Sequence, residues 1–165
     1  MSVIDPHRPR KLYRYSERHW LERSLSLGEF RLRPPGLTGP VAQQQPVLAL
    51  SLAREWNERL FDLFAGADSC LVIHDTEEFG ERIHRAAKRI LPSWAGIDAA
   101  VSYGSHSPLG AVFSKARCDA AQKEWMFAWR PTQFALSLNP VFIQIGNIED
   151  IAELRDRGAG DALLH

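Results

Sequence analysis

The stretch that decides the fold reads Ala121-Gln122-Lys123-Glu124-Trp125-Met126-Phe127-Ala128-Trp129. Its aromatic side chains recur at every second position, which is the period of a β-strand with one buried face. We therefore predict a strand that packs Trp125, Phe127 and Trp129 into the core, with Lys123 on the same face. The opposite face carries Gln122 and Glu124. Glu124 is then either a carboxylate in a functional cleft or an ordinary solvated residue.

Length and composition predict one domain of ordinary globular type. Of 165 residues, 45% are hydrophobic and 24% are charged, and Lys+Arg balance Asp+Glu at 20 each. The balanced charge gives no indication of nucleic acid or membrane as a partner. The N-terminal part is mildly basic, which suits an anionic ligand or a plain solvated surface. We expect an irregular arm at 1–10, one α+β domain at 11–157 and a frayed tail at 158–165.

Cysteine content and hydropathy predict the compartment. Cys70 and Cys118 are too few for a disulfide framework, which favours a reducing environment. No apolar run approaches the roughly 18 residues that span a bilayer, and the first ten residues lack the apolar core of a signal peptide. We therefore expect a cytoplasmic protein with no membrane partner, and the sequence predicts no oligomeric state.

Hydrophobic periodicity predicts about seven short strands and four helices. The predicted strands are 11–15, 29–33, 47–53, 70–73, 98–103, the opening stretch and 141–145, with 111–115 as a short strand or a helical turn. The first three predicted helices run from a Ser16 cap to Gly28, over 54–64, and from an Asp75 cap to the residue before Pro92. The fourth is a short helix that begins at an Asn147 cap, with Leu154 on its inward face. Because these elements do not alternate regularly, we predict an α+β fold with small mixed or antiparallel sheets and flanking helices.

Two of these elements carry further detail. In the strand at 47–53, three leucines share the core face, and Ser51 lies among small side chains on the other face. Small side chains leave room for a ligand, or for a closely packed helix, which is their commoner use. In the third helix, a buried stripe is predicted to contain Phe79, Ile83, Ala87 and Ile90.

The sequence lacks several familiar site motifs. It contains neither Gly-x-Gly-x-x-Gly nor a P-loop, its histidines lack zinc-ligand spacing, and no nucleophile elbow indicates a serine hydrolase. Asp75 and Glu78 could form a carboxylate pair, but their spacing is that of a helix capping box. We therefore expect no metal ion.

The remaining candidate site consists of three dispersed polar positions, each on a predicted strand: Arg14, Ser51 and the pair Gln122-x-Glu124. Their order and residue types resemble those of the arginine-type ADP-ribosyltransferase fold. The chain departs from that family at Leu50-Ser51-Leu52, where Ser-Thr-Ser is usual. The resemblance implies an ADP-ribosyltransferase-like fold that uses NAD as a co-substrate.

The same resemblance implies a role for each residue. Arg14 would bind the dinucleotide phosphates, because a guanidinium binds pyrophosphate in a bidentate manner. Ser51 would shape the nicotinamide-ribose pocket. Glu124 would be the catalytic carboxylate that stabilises an oxocarbenium-like transition state, and Gln122 would position the acceptor. Tyr13 and Tyr103 are candidates to stack on nicotinamide or adenine.

A series of short motifs also occurs in a fixed order along residues 12–146. The motifs are Tyr13-Arg14-Tyr15, Gly28-Glu29-Phe30, Ser51, the apolar run 70–73, Val101-Ser102-Tyr103, Phe113-Ser114-Lys115 and Gln122-Lys123-Glu124-Trp125. The series is similar to an uncharacterised bacterial family known mainly as a domain of unknown function. The chain departs from it at Thr38-Gly39-Pro40, where Asn-Asp-Pro is typical, and at Met126, where arginine is usual. This resemblance supports the order of the elements more than a reaction.

The resemblance to the ADP-ribosyltransferase fold implies a transferase that moves ADP-ribose from NAD to a protein or nucleic-acid acceptor. Two alternatives stay open at the level of sequence. The chain is a non-enzymatic binding or inhibitor module of a bacterial conflict system if Gln122 and Glu124 are merely the exposed edge of a strand. It is a hydrolase of a nucleotide, such as an NAD glycohydrolase, if water is the acceptor.

Overall fold

The computed structural model describes residues 7–35, 47–133 and 140–158. Within these ranges the chain forms ten strands and three helices. In chain order they are β1 (Leu12–Ser16), α1 (Arg18–Leu27), β2 (Glu29–Leu32), β3 (Leu48–Ala53), α2 (Leu60–Leu63), β4 (Ser69–Ile73), α3 (Thr76–Ile90), β5 (Trp94–Ala100), β6 (Ser102–Tyr103), β7 (Ser114–Lys115), β8 (Glu124–Pro131), β9 (Val141–Gln144) and β10 (Ala152–Asp156). Two 3₁₀ turns cover Ala111–Phe113 and Arg117–Gln122.

One six-stranded sheet organises the domain, with the order β10-β4-β1-β3-β8-β5. Every neighbouring pair in it is antiparallel. Two small sheets accompany it, an antiparallel β2–β9 pair and a parallel β6–β7 pair. The predicted α+β class is confirmed, and the domain has a mostly antiparallel sheet and few helices.

The main core lies on one face of the large sheet. The leucines of β3 and the aromatic residues of β8 meet there with α1, α3 and the β2–β9 pair, as predicted for both strands. The fully buried members include Leu48, Leu50, Leu52, Trp125, Phe127, Trp129, Leu21, Phe79 and Ile83. Burial of this apolar surface supplies the main stabilisation of the fold.

The other face of the sheet carries two smaller apolar clusters. The first contains Val47, Ala49, Ala99, Val101, Val112, Phe113, Met126 and Ala128. The second contains Tyr13, Tyr15, Ala53, Leu60, Phe61, Cys70 and Val72. On β3, Ala49 belongs to the first cluster and Ala53 to the second, so Ser51 lies between the two.

The two longer helices end largely as the sequence predicts. Gly28 ends α1 in the left-handed region at φ 64°. Asp75 caps α3 by accepting a hydrogen bond of 3.0 Å from the Glu78 backbone N–H. The Ser16 cap was predicted wrongly, because Ser16 is the last residue of β1 and pairs with β4, and Glu17 is the N-cap residue of α1. Ile90 is also not on the buried stripe, since it is 53% exposed.

The predicted helix at 54–64 is wrong apart from its single turn Leu60–Leu63. The Tyr15 hydroxyl accounts for the difference. It donates to the Glu55 carbonyl at 2.9 Å and accepts from the Asn57 N–H at 3.0 Å. These backbone groups therefore form hydrogen bonds with a side chain of β1 and not with other backbone groups of a helix.

The predicted helix after Asn147 is also wrong, because this segment forms β10 along the edge of β4. The Asn147 side chain caps only a turn, in which it accepts from the Glu149 N–H at 2.9 Å. Leu154 then lies opposite Leu71 in the sheet. Pairing with the edge of β4 stabilises the strand over a short helix, which is marginal without packing.

The other differences concern ends of elements. The strand predicted at 98–103 begins earlier, at Trp94, and is divided into β5 and β6. Its first residues are largely exposed, so no apolar pattern marks them. Both alternatives for 111–115 occur, as a 3₁₀ turn followed by β7. Residues 1–6 of the predicted arm, the motif at 38–40 and the end of the predicted tail, 159–165, lie outside the described residues.

The end of the N-terminal arm is tied to the core through Asp98. This carboxylate accepts from Arg8 Nε at 2.6 Å and from Trp125 Nε1 at 2.8 Å, and His84 Nε2 lies 2.8 Å away. Burial by itself raises the pKa of Asp98, but these hydrogen bonds outweigh it and hold the pKa well below its usual range. Asp98 therefore stays ionised and joins the arm, α3 and β8.

The Asp98 cluster predicts that the arm contributes to stability. Arg8→Met should lower the free energy of unfolding by about 2 kcal/mol, because it removes charged hydrogen bonds to a nearly buried carboxylate. Arg10→Met is the matched control, since Arg10 is exposed, and should change stability by less than about 0.5 kcal/mol. Urea unfolding of the two variants measures both values. Equal stability of the two variants would contradict the prediction.

Candidate functional site

The edge of β3 that faces away from β8 is divided between two neighbours. In an antiparallel strand, the backbone N–H and C=O groups of every second residue point to the same side. On β3, the backbone groups of Ala49, Ser51 and Ala53 point to the side away from β8. Ala53 pairs with Tyr13 of β1, the single registered pair between β1 and β3. Ala49 instead exchanges hydrogen bonds of 2.8 and 3.1 Å with the Arg33 backbone. Ser51 is left between the two neighbours, facing a gap in the sheet.

The Arg14 guanidinium lies at this gap. Its Nη1 donates to the Ser51 carbonyl oxygen at 3.0 Å, where a continued ladder would have a backbone N–H. Burial, together with the smaller effect of the nearby positive charge of Arg33, lowers the pKa of Arg14 to about 10. Arg14 therefore remains charged at neutral pH. Among the described residues, no carboxylate lies within ion-pair distance of it.

Glu124, at the start of β8, is 5% exposed and holds three side-chain hydrogen bonds. Its Oε1 accepts from Ser51 Oγ and from Lys115 Nζ, each at 2.8 Å. Its Oε2 accepts from the Tyr103 hydroxyl, also at 2.8 Å. A buried charge needs such partners, so the three donors fix the orientation of the carboxylate.

The β6–β7 pair positions two of these donors. Tyr103 and Lys115 stand next to each other in its parallel register. The pair is joined to β8 through the Tyr103 hydroxyl, which accepts from the Glu124 N–H at 2.9 Å. Burial raises the pKa of Tyr103, so its hydroxyl keeps the proton that it donates to Glu124. This small sheet, with two residues in each strand, therefore holds a hydroxyl and an ammonium group against one carboxylate.

Arg14, Ser51 and Glu124 line one cavity of about 800 Å³. By strand register, Arg14 shares a face of the sheet with Leu71, whereas Glu124 shares the other face with Ala53. The gap between β1 and β3 joins the two faces at this point. The structure thus brings together the three residues that the sequence singled out on separate strands.

Gln122 also lines the cavity, but not from the strand that was predicted. It ends a 3₁₀ turn, and Lys123 takes a positive φ of 40° before β8 begins. This break removes the alternation between positions 122 and 124. Lys123 is therefore exposed and pairs with Glu55 at 3.0 Å, so its predicted place on the core face is wrong.

The two tyrosines proposed for stacking have other contacts in the structure. The Tyr13 ring is 4% exposed and lies edge-on to Trp56, with 6.5 Å between the ring centroids. Tyr103 is half-buried, and its hydroxyl is bonded to Glu124. A role of either ring in stacking on nicotinamide or adenine stays a prediction.

Three cationic residues of the cavity were missed in the sequence, namely Lys115, Arg31 and Arg33. Lys115 is nine positions from Glu124, and no helical or strand spacing links them. Arg33 had a visible signal, because the alternating stretch 29–33 places Arg31 and Arg33 on one exposed face. No pattern in the sequence reveals the gap in the sheet, where these residues line one cavity with Arg14.

The charges of the lining residues favour an anionic ligand. The lining contains Arg14, Arg31, Arg33 and Lys115 together with Glu29 and Glu124. Lys115 pairs with Glu124, and Glu29 pairs at 2.6 Å with Arg23, which is not part of the lining. Three guanidinium groups are left without a carboxylate partner among residues 7–35, 47–133 and 140–158. The volume of the cavity is within the usual range for small-molecule sites.

Two other classes of feature were sought in the same parts of the chain. No group of three or more His, Cys, Asp or Glu side chains there is arranged to hold a metal ion. No helix there combines the length and the apolar character needed to cross a bilayer.

Comparison with known proteins gives no family assignment. No family model, no curated protein and no solved structure matches the chain. Its function must therefore be inferred from the cavity.

The burial of Glu124 predicts that Lys115 is needed for stability. Lys115→Met should lower the free energy of unfolding by about 1–3 kcal/mol, because it leaves a buried carboxylate without its cation. Lys123→Met is the control, since it removes a Lys–Glu pair of similar length on the surface, and should cost less than about 0.5 kcal/mol. Chemical denaturation measures both. A loss for Lys123→Met as large as that for Lys115→Met would refute the distinction.

Proposed function

We propose that the chain is an ADP-ribosyltransferase-like protein that binds NAD in the cavity and transfers ADP-ribose to a macromolecular acceptor. The observation that carries the proposal is that Arg14, Ser51 and Glu124 line one cavity, although they come from three strands. Separately, a strand arginine and a Gln-x-Glu sequence are common. Their convergence beside a gap in the sheet is the feature that favours a shared ligand.

Binding of the dinucleotide would begin at the arginines. Arg14 is partly desolvated, is repelled by Arg33 and has no carboxylate partner among the described residues, so a pyrophosphate would relieve the unfavourable charge. A guanidinium also matches phosphate oxygens in bidentate geometry. In this proposal Arg14 and Arg33 hold the phosphates, while Ser51 shapes the pocket of the nicotinamide ribose.

Glu124 would then act on the glycosidic bond. In the reaction, the bond between C1′ and the nicotinamide nitrogen breaks, and its electron pair leaves with nicotinamide. A hydroxyl or amine of the acceptor forms the new bond at C1′ and loses its proton to solvent water. The Glu124 carboxylate stabilises the positive charge that develops on the ribose, and Gln122 at the cavity wall orients the acceptor.

A second candidate function is a non-enzymatic binding module, and the contacts of Glu124 favour it. Ser51, Lys115 and Tyr103 already occupy both carboxylate oxygens. If these contacts persist when ligand binds, Glu124 is a structural residue that joins β3, β8 and the β6–β7 pair. The cavity would still bind an anionic ligand through its arginines, without turnover.

NAD turnover by the purified protein tests the reaction. We expect Glu124→Gln to lower turnover about 100-fold or more, because it removes the negative charge opposite the developing cation. Glu55→Gln is the matched control and should keep turnover within about twofold, since Glu55 pairs with Lys123 away from the cavity. Melting temperatures of both variants establish that each is folded.

The outcomes separate the candidate functions. Turnover that is equal in Glu124→Gln and wild type, and well above buffer, would remove Glu124 from the reaction. A rise in melting temperature with NAD but no turnover would favour the binding module. Release of free ADP-ribose, with none on an acceptor, would identify a glycohydrolase.

A further inference from the structure

Two exposed aromatic side chains lie at the cavity. Trp20 of α1 is 51% exposed and Phe142 of β9 is 54% exposed, and both line it. They are the only aromatic residues among the large exposed hydrophobic side chains of the described chain; the others are Leu27, Leu63, Ile90 and Ile97. Scattered aliphatic residues are normal on a surface, but exposed aromatic rings that share one cavity indicate a binding site.

Phe142 also carries a cation against its ring. Arg31 lies directly opposite it in the β2–β9 pair, and the guanidinium carbon is 5.9 Å from the ring centroid. Within the described chain, Arg31 has no carboxylate partner and contributes to the same lining as Arg14 and Arg33. The cavity lining thus presents an exposed ring with a guanidinium group against it, together with two further cations.

We infer that the Arg31–Phe142 pair is the platform on which the base of a nucleoside diphosphate stacks when its phosphates lie against Arg14 and Arg33. Bases stack on aromatic rings and on guanidinium planes. Phosphates account for the unpaired cations, which an uncharged aromatic ligand would leave unsatisfied. The inference rests on the proposed function for the placement of the phosphates.

This assignment differs from the one based on sequence. Tyr13 and Tyr103 were the predicted stacking residues, but Tyr13 is buried and Tyr103 is half-buried. Phe142 was placed only as part of a strand. Its position follows from the pairing of β2 with β9, which brings Arg31 and Phe142 together from distant parts of the chain.

Calorimetric titration with ADP and with inorganic pyrophosphate tests the inference. Wild type should bind ADP about tenfold or more tightly than pyrophosphate, since the base adds a stacking contact. Phe142→Ala should lose about tenfold in ADP affinity and keep its pyrophosphate affinity. Phe142→Trp should retain ADP affinity, and Leu27→Ala, at an exposed residue outside the lining, should match wild type.

Each other outcome would overturn the inference. These outcomes are absence of ADP binding in wild type, unchanged ADP affinity in Phe142→Ala, and equal loss of both ligands in Phe142→Ala. Failure of the proposed reaction gives a different pattern, in which ADP binding depends on Phe142 but NAD is not turned over. Conversely, turnover that needs Glu124, with ADP affinity independent of Phe142, would retain the reaction and reject the platform.

Discussion

The hydrogen bond from the Arg14 guanidinium to the Ser51 carbonyl occupies the place where β1 would otherwise continue its ladder with β3. The β3 edge is shared by β1 at Ala53 and by the segment after β2 at Ala49. A side chain can satisfy one carbonyl there but cannot close the sheet. The cavity exists because the two neighbours diverge, and it joins faces that an unbroken sheet would separate.

This constraint also decides the charge of the cavity. An arginine that must lie in the gap is partly removed from water, and the pairing of Arg33 with Ala49 brings a second guanidinium near it. The carboxylate of Glu124, by contrast, is balanced by Lys115 and two hydroxyl groups. The Glu124 carboxylate is therefore neutralised, whereas the guanidinium groups of Arg14, Arg31 and Arg33 have no carboxylate partner among the described residues. Such an asymmetry favours a ligand that has a phosphate group at one end.

The sequence was informative where a pattern is local. The alternating aromatic residues of β8 and leucines of β3 predicted strands with the correct buried faces, because burial on one face of a strand leaves a period of two. It failed where tertiary contacts override local preference. The Tyr15 hydroxyl forms hydrogen bonds with the backbone at 55 and 57, which prevents a helix there, and β10 pairs with the edge of β4. Lys115 and Phe142 gain their places only through pairing of distant segments, which has no local signature.

The central claim is that a phosphate-bearing ligand binds in the gap between β1 and β3, with its sugar towards Glu124. A crystal structure of the protein with ADP-ribose tests this most directly. The account predicts pyrophosphate oxygens within hydrogen-bond distance of the Arg14 guanidinium and the terminal ribose on the Glu124 side of the cavity. ADP-ribose bound elsewhere, with the cavity holding only water and the Arg14–Ser51 contact unchanged, would contradict it.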